Sequence, residues 1–213
     1  APAYGIAEER LGRLLAGRRD QFLLFSKTGE IFDRGQSSWD FSAAHTRRSV
    51  EESLRRLQTD RLEAVLLHCP REDLSVIRDT AALEVLHSMK AAGLIRAVGI
   101  STMSLAGGLA AVPLCDLVMV AWNTGFHEQQ PVIEAAAAAG KGILLKKVLA
   151  SGDLSAGGAV PAGMKALDYR LRSALALVAD FDRPGNVPQG QRTAVGRSAG
   201  SGHRGRALER VIP

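Results

Sequence analysis

The chain has 213 residues, 46% hydrophobic and 23% charged, which suits one domain with a buried core but falls short of the roughly 250 residues of a complete eight-fold β/α barrel. The net charge of +5 is local: residues 183–213 hold six arginines and a single acid, Glu209, leaving 21 basic and 21 acidic residues in 1–182. A neutral body argues against specific nucleic-acid binding, and no apolar run reaches the length of a membrane span.

Cys69 and Cys115 lack metal-ligand spacing and read as free thiols of a reducing, cytoplasmic compartment. Residues 1–5 (APAYG) are neither a signal nor a transit peptide, and open as if in mid-fold.

In chain order, residues 7–16 predict a helix with Leu11, Leu14 and Leu15 on one face, ended by Gly17. QFLLFSK (21–27) suits a buried parallel strand, and a polar loop runs from Thr28 to about Asp40. In that loop and just after it, Phe32, Trp39 and Phe41 are candidate apolar contacts for a substrate or for the barrel. Ser42 caps a helix to about Gln58, with Val50, Leu54 and Leu57 inward. EAVLLH is a second strand, ending at His68. A helix over 80–92 buries Leu83, Leu86 and Met89, with Gly93 at its end. IRAVGIS ends at Ser101. A short helix then leads to DLVMVAW, ending at Trp122. Residues 131–139 are helical and close at Gly140, and GILLKKV is the fifth strand. Five strand–helix alternations with short links predict a parallel sheet, in a barrel or a doubly wound fold. No G-x-G-x-x-G follows a strand, which disfavours the latter. The expected architecture is an incomplete (β/α)8 TIM-type barrel over residues 1–182. Residues 183–213 form a Gly/Arg-rich, poorly ordered tail, too polar to offset its ordering entropy.

Barrel chemistry gathers at the C-terminal ends of the strands. Those ends carry Lys27, His68, Ser101, Asn123 beside Trp122, and Lys146 with Lys147. Tyr4 sits where a preceding strand would end. Tyr, Lys and His together suit carbonyl reduction, which places hydride on carbon and a proton on oxygen. A phenol is a weak acid at neutral pH, an adjacent ammonium favours its ionised form, and an imidazole can hydrogen-bond the carbonyl oxygen. Taken singly, His68 reads equally as a satisfied barrel histidine and Lys27 as a solvated strand end. His45, His87, His127 and His203 are scattered and predict no metal site. Gly158 and Gly163 imitate a phosphate loop, but Met164 stands where its lysine belongs.

APAYG-x-AEE-x-LG, S-K-T-G, the helix end S-L-R-R-L-x-T-D, L-L-H, G-L-I-R-A-V-G-I-S and K-K-V-L-A-S-G, in this order over about residues 1–155, resemble the aldo-keto reductase family. The resemblance implies NADPH-dependent interconversion of an aldehyde or ketone and an alcohol, with NADH the other candidate cofactor and a small carbonyl or sugar-like substrate. It makes Tyr4 the general acid, Lys27 its tuning neighbour and His68 the carbonyl-orienting group. The family's fourth member, an Asp, would stand just before Ala1, so weak or absent turnover is expected of the chain as given. Ser101 matches the serine that holds the nicotinamide carboxamide, and Thr102 replaces the usual asparagine after it. Asn123, Lys146 and Lys147 complete the candidate cofactor contacts. The two lysines either reach the pyrophosphate or are solvated. Met119 stands for a common glutamine and Lys146 for a stacking aromatic. The family's 2′-phosphate loop has no match, and the tail has the composition of out-of-frame translation. A cofactor-binding or regulatory barrel without turnover is the alternative reading.

Overall fold

The computed structural model describes residues 1–123 and 125–148. The predicted tail, the Gly158–Gly163 segment and the 182/183 boundary lie outside the described residues.

The principal sheet has five parallel strands: β1 (Phe25–Thr28), β4 (Leu62–His68), β5 (Ile95–Ser101), β6 (Leu117–Ala121) and β7 (Gly142–Lys146). They lie side by side in chain order. A doubly wound sheet reverses its strand order at a switch point; among the described residues there is no reversal, and the run matches an arc of a β/α barrel. Helices α1 (Ala7–Leu14), α2 (Ala43–Leu57), α3 (Asp73–Asp79), α4 (Ala82–Ala91), α5 (Leu105–Ala111) and α6 (Gln130–Ala138) alternate with the strands. Between β1 and α2 stands a hairpin, β2 (Glu30–Asp33) with β3 (Gln36–Trp39).

The strand sequences explain the two-sided burial. In β4 every residue but His68 is buried. Val65, Leu67, Val98, Ile100, Val118 and Val120 join the helices' Val50, Leu54, Leu86, Met89 and Ile133 in the larger core cluster. Ala64, Leu66, Ala97 and Leu117 form a smaller cluster with Phe25, Met119 and Leu144. Alternation along each strand sends consecutive side chains to opposite faces, so a strand covered on both sides must be apolar throughout.

Helix α2 follows its prediction closely. The Ser42 side chain accepts from the His45 amide, and Gln58 ends the helix in the left-handed region at φ 53°. Val50, Leu54 and Leu57 are buried, as are Leu83, Leu86 and Met89 of α4. Gly93 and Gly140 sit at φ 77° and 67° beyond their helices, where a side chain would be strained.

Three local expectations are corrected. In α1, Leu11 and Leu14 are 44% and 72% exposed, and only Leu15 packs on the core. The buried face is instead Glu8 and Gly12. Glu8 accepts from Ser26 Oγ at 2.6 Å and from Arg56 Nε at 2.9 Å, so a buried carboxylate, not leucine, docks this helix. Gly12 allows the close approach: a Cβ there would lie 2.4 Å from the Arg56 carbonyl oxygen. Gly12→Ala is therefore expected to cost about 1–3 kcal/mol through overpacking, read as a lower midpoint in urea unfolding. Gly17→Ala controls for helix-end effects, since nothing lies within 4 Å of its would-be Cβ.

The first strand is shorter than QFLLFSK. Residues Arg19–Gln21 form a 3-10 turn, and Leu24 gives its amide to Glu63 Oε2 at 2.7 Å instead of to a neighbouring strand. Regular pairing starts only at Phe25, opposite Ala64. Glu63 is buried and paired with Arg19 at 2.8 Å. The loop expected over 28–40 is largely the β2–β3 hairpin. Its two-residue turn, Arg34 and Gly35, holds both residues at positive φ, 48° and 82°, which matches the twist of the flanking strands. Phe32 and Trp39 are exposed, whereas Phe41 packs on the core.

Candidate active site

Parallel register brings the strand ends level. His68 of β4 stands opposite Ser101 of β5, and Ala121 of β6 opposite Lys146 of β7. Lys27 is on β1, next to β4. The polar residues that end these apolar strands thus share one edge of the sheet.

Tyr4 closes a 3-10 turn, Pro2–Tyr4, ahead of α1. This turn packs against β2 and β1. Lys27 Nζ donates to Tyr4 Oη at 3.1 Å. The ammonium lies 5.3 Å from the phenol ring centroid. The His68 ring meets the Tyr4 ring edge-on, with centroids 6.2 Å apart. Three residues separated by up to 64 positions therefore converge, with the phenol still 55% exposed to an incoming molecule. His68 is neither a histidine satisfied by the core nor a free one. Burial first, and then the Lys27 ammonium, hold its pKa down at about 4 against the opposing pull of Glu30, so the ring is neutral at pH 7.

The second cluster lies along β5 and β7. Lys146 Nζ donates to Ser101 Oγ at 2.9 Å and reaches Met103 Sδ at 3.3 Å. Burial, with Lys147 and Lys27 nearby, brings its pKa down to about 8. Lys146 is thus a half-buried cation turned along the strand ends, and the solvated strand-end reading does not hold for it. Ser101 and Thr102 are both fully buried, and Thr102 Oγ1 has no hydrogen-bond partner among the described residues. Lys147 has φ 58°, and its carbonyl accepts from Asn123 Nδ2 at 3.0 Å. Asn123 Oδ1 accepts from the Gly125 amide at 3.0 Å. Both ends of the Asn123 side chain are therefore engaged in shaping the turn after β6.

Several residues around these clusters carry no motif in the sequence. Glu30 of β2 contacts His68. Asp73, at the start of α3, is fully buried and accepts from the Met103 and Ser104 amides at 2.6 and 2.8 Å and from Ser104 Oγ. Gln129 is buried, accepts from the Ala121 amide at 2.8 Å and donates to the Ser104 carbonyl. Asp73 and Gln129 together pin the loop after Ser101. A lone Asp or Gln in a polar segment carries no sign of burial. The hairpin that delivers Glu30 was read as a polar loop; its D-R-G turn is the one local signal of it. Cys69 and Cys115 are buried free thiols whose pKa values burial raises, well above the usual thiol range for Cys69 and to about 12 for Cys115, which leaves them inert as nucleophiles. Among the described residues no group of three or more His, Cys, Asp or Glu could hold a metal ion. No helix among them is long and apolar enough to cross a membrane.

The model of the Aldo/keto reductase family matches residues 1–170. The chain belongs to the aldo-keto reductase family.

Among its relatives is the D-threo-aldose 1-dehydrogenase of a Pseudomonas species, 31% identical over 73% of this chain and 56% of that protein. The aldo-keto reductase YhdN of Bacillus subtilis is 38% identical over 49% of this chain and 32% of its own length. A crystal structure from Pseudomonas aeruginosa, assigned to the aldo-keto reductases, superposes with a TM-score of 0.74 at 45% identity, covering 84% of this chain and 65% of that one. The holo form of a Bacillus halodurans aldo-keto reductase superposes with a TM-score of 0.60 at 26% identity, covering 83% and 60% of the two chains. The aldo-keto reductase chain thus spans about a third to two thirds of the length of these relatives.

Proposed function

We propose that the protein to which this chain belongs is an NADP-dependent oxidoreductase. It interconverts a small carbonyl compound, aldehyde, ketone or sugar, and the corresponding alcohol. The observation that carries this reading is the Tyr4 Oη–Lys27 Nζ hydrogen bond of 3.1 Å with His68 beside it, at the C-terminal ends of β1 and β4. Relatives named as an aldose dehydrogenase, an L-galactose dehydrogenase and a 6-dehydroglucose reductase support a polyhydroxylated substrate.

Tyr4 gives its phenolic proton to the substrate oxygen in the reductive direction and takes it back in the oxidative one. The Lys27 ammonium, already bonded to the Tyr4 phenol oxygen, stabilises the negative charge that develops on that phenol oxygen. His68 orients the substrate oxygen. When bound, NADP supplies or accepts the hydride.

The residues present fit a dinucleotide. Ser101 and the Thr102 hydroxyl, which lacks a partner among the described residues, would receive the carboxamide of the nicotinamide. Lys146, with Lys147 behind it, offers positive charge to the phosphates. Asn123 acts indirectly, by setting the Lys147 backbone.

Two measurements test the proposal. Oxidation of NADPH by short aldehydes, and reduction of NADP⁺ by aldoses, are followed by absorbance at the nicotinamide band. No turnover in either direction by the full-length protein would refute it. Run on this 213-residue chain, the same assay decides the expectation of weak turnover. Titrating NADPH fluorescence separately distinguishes binding from catalysis.

The second measurement is pH dependence. Lys146 is cationic below about pH 8 and loses its charge above it. NADPH affinity is therefore expected to fall as pH rises through about 8, and Lys146→Met should flatten that limb. An unchanged limb in the variant would remove Lys146 from the phosphate contacts.

A further inference from the structure

Strand parity aims Lys146 into the mouth of the barrel. Consecutive residues of a strand face opposite ways, so Leu144 and Lys146 of β7 share a face. Leu144 belongs to the smaller apolar cluster, with Phe25, Leu66 and Ala97. By the same alternation those residues share their faces with Lys27 of β1, His68 of β4 and Ser101 of β5. Four polar side chains therefore crown one apolar interior. There Lys146 Nζ lies 2.9 Å from Ser101 Oγ and 3.3 Å from Met103 Sδ, both neutral partners. The other groups whose charge acts on it are Lys147, Lys27, Cys69 and Asp73. Two are cations, the thiol is buried, and the Asp73 carboxylate is already bonded to the Met103 and Ser104 amides. Among the described residues, no carboxylate pairs with the ammonium.

A nicotinamide ring has two charge states. The reduced ring is neutral, and the oxidised ring carries one positive charge. The phosphates are the same in both, so a cation that meets only phosphates favours neither form. A cation beside the ring repels the oxidised form alone, and it does so more strongly over an apolar floor than in water. Ser101, which in the proposed function receives the carboxamide borne by that ring, is the residue to which the ammonium is bonded.

We infer that Lys146 selects the redox state of the cofactor: its ammonium disfavours the oxidised nicotinamide, so that the site holds NADPH in preference to NADP⁺ and the protein serves carbonyl reduction. This rests on the proposed oxidoreductase reading and gives it a direction. Relatives are named for either direction, an L-galactose dehydrogenase and a 6-dehydroglucose reductase among them. The equilibrium between reactants free in solution is untouched. What changes is which cofactor form occupies the site and how readily the oxidised form leaves it.

The test is the ratio of the NADP⁺ and NADPH dissociation constants, measured by calorimetry on the full-length protein without substrate, so that no turnover enters. At neutral pH NADPH is expected to bind about tenfold tighter. Lys146→Met, close in length but uncharged, should lower the ratio by about that factor, and Lys146→Arg, which keeps the charge, should retain most of it. Raising the pH well above about 8, where Lys146 is neutral, should lower the ratio in the unmodified protein as well, without any substitution. A ratio near one in the unmodified protein at neutral pH overturns the inference. So does a Lys146→Met variant that weakens both forms equally, which would leave the ammonium at the phosphates. If neither form binds the folded protein, the oxidoreductase reading fails and the inference with it; binding of both without discrimination sinks the inference alone.

Discussion

Tyr4→Phe is expected to lower kcat/KM by about 10²–10⁴-fold, because it removes the hydroxyl bonded to the Lys27 ammonium, which is the proposed proton donor. The ring remains, so its edge contact with His68 is preserved and the change isolates the oxygen. NADPH affinity should stay within about twofold, since no candidate cofactor contact touches Tyr4. The measurement is steady-state kinetics in the reductive direction, paired with fluorescence titration of NADPH. A loss of less than about tenfold in kcat/KM would place proton transfer elsewhere. Lys27→Met removes the charge from the same pair and should reproduce most of the loss. An equal loss in each single variant and in the double variant would show that the two act as one unit.

Asp73→Ala is expected to be the largest single loss of stability, about 3–5 kcal/mol, because it deletes a buried acceptor from three donors at once. The half-buried Met103 and Ser104 amides would lose their acceptor. Ser104 would lose its orientation, and with it the cap it gives to the Gly107 amide at the start of α5. The carboxylate also fills the space in front of Gly107, where a Cβ would lie 2.1 Å from Asp73 Oδ1. Equilibrium urea unfolding reads the loss in the midpoint at constant slope. The same loop follows Ser101 and Thr102, so a weaker NADPH affinity should accompany the fall in stability. Asp73→Asn keeps an acceptor oxygen and should recover part of both. A near-neutral Asp73→Ala would mean that the loop is held by Gln129 alone.

How much was legible in the sequence follows the range of the forces involved. Helix α2 was readable because its cap and its apolar spacing are local: Ser42, Val50, Leu54 and Leu57 need no distant partner to be recognised. Strands β4 and β5 were readable because burial on both faces forces continuous apolar runs. Helix α1 was misread for the complementary reason. Its leucines have helical spacing, but its docking is through Glu8 to Ser26 and Arg56, residues 18 and 48 positions away. The start of β1 was misread because Glu63 takes the Leu24 amide, a side chain intervening in a ladder. Helix α3 went unread: its seven residues carry too short an apolar pattern.

The parallel β/α order, the strand-end positions of Lys27, His68, Ser101 and Lys146, and the family could be read from the chain, because local periodicity and motifs in order carry them. What those residues touch depends on the folded chain. It set Tyr4 against Lys27, turned Lys146 along the sheet edge to Ser101, consigned Asn123 to shaping a turn, and brought Glu30 from a hairpin to His68. Hydrogen bonds and charges act over a few ångströms in space, and residues that meet across strands leave no spacing rule in the chain.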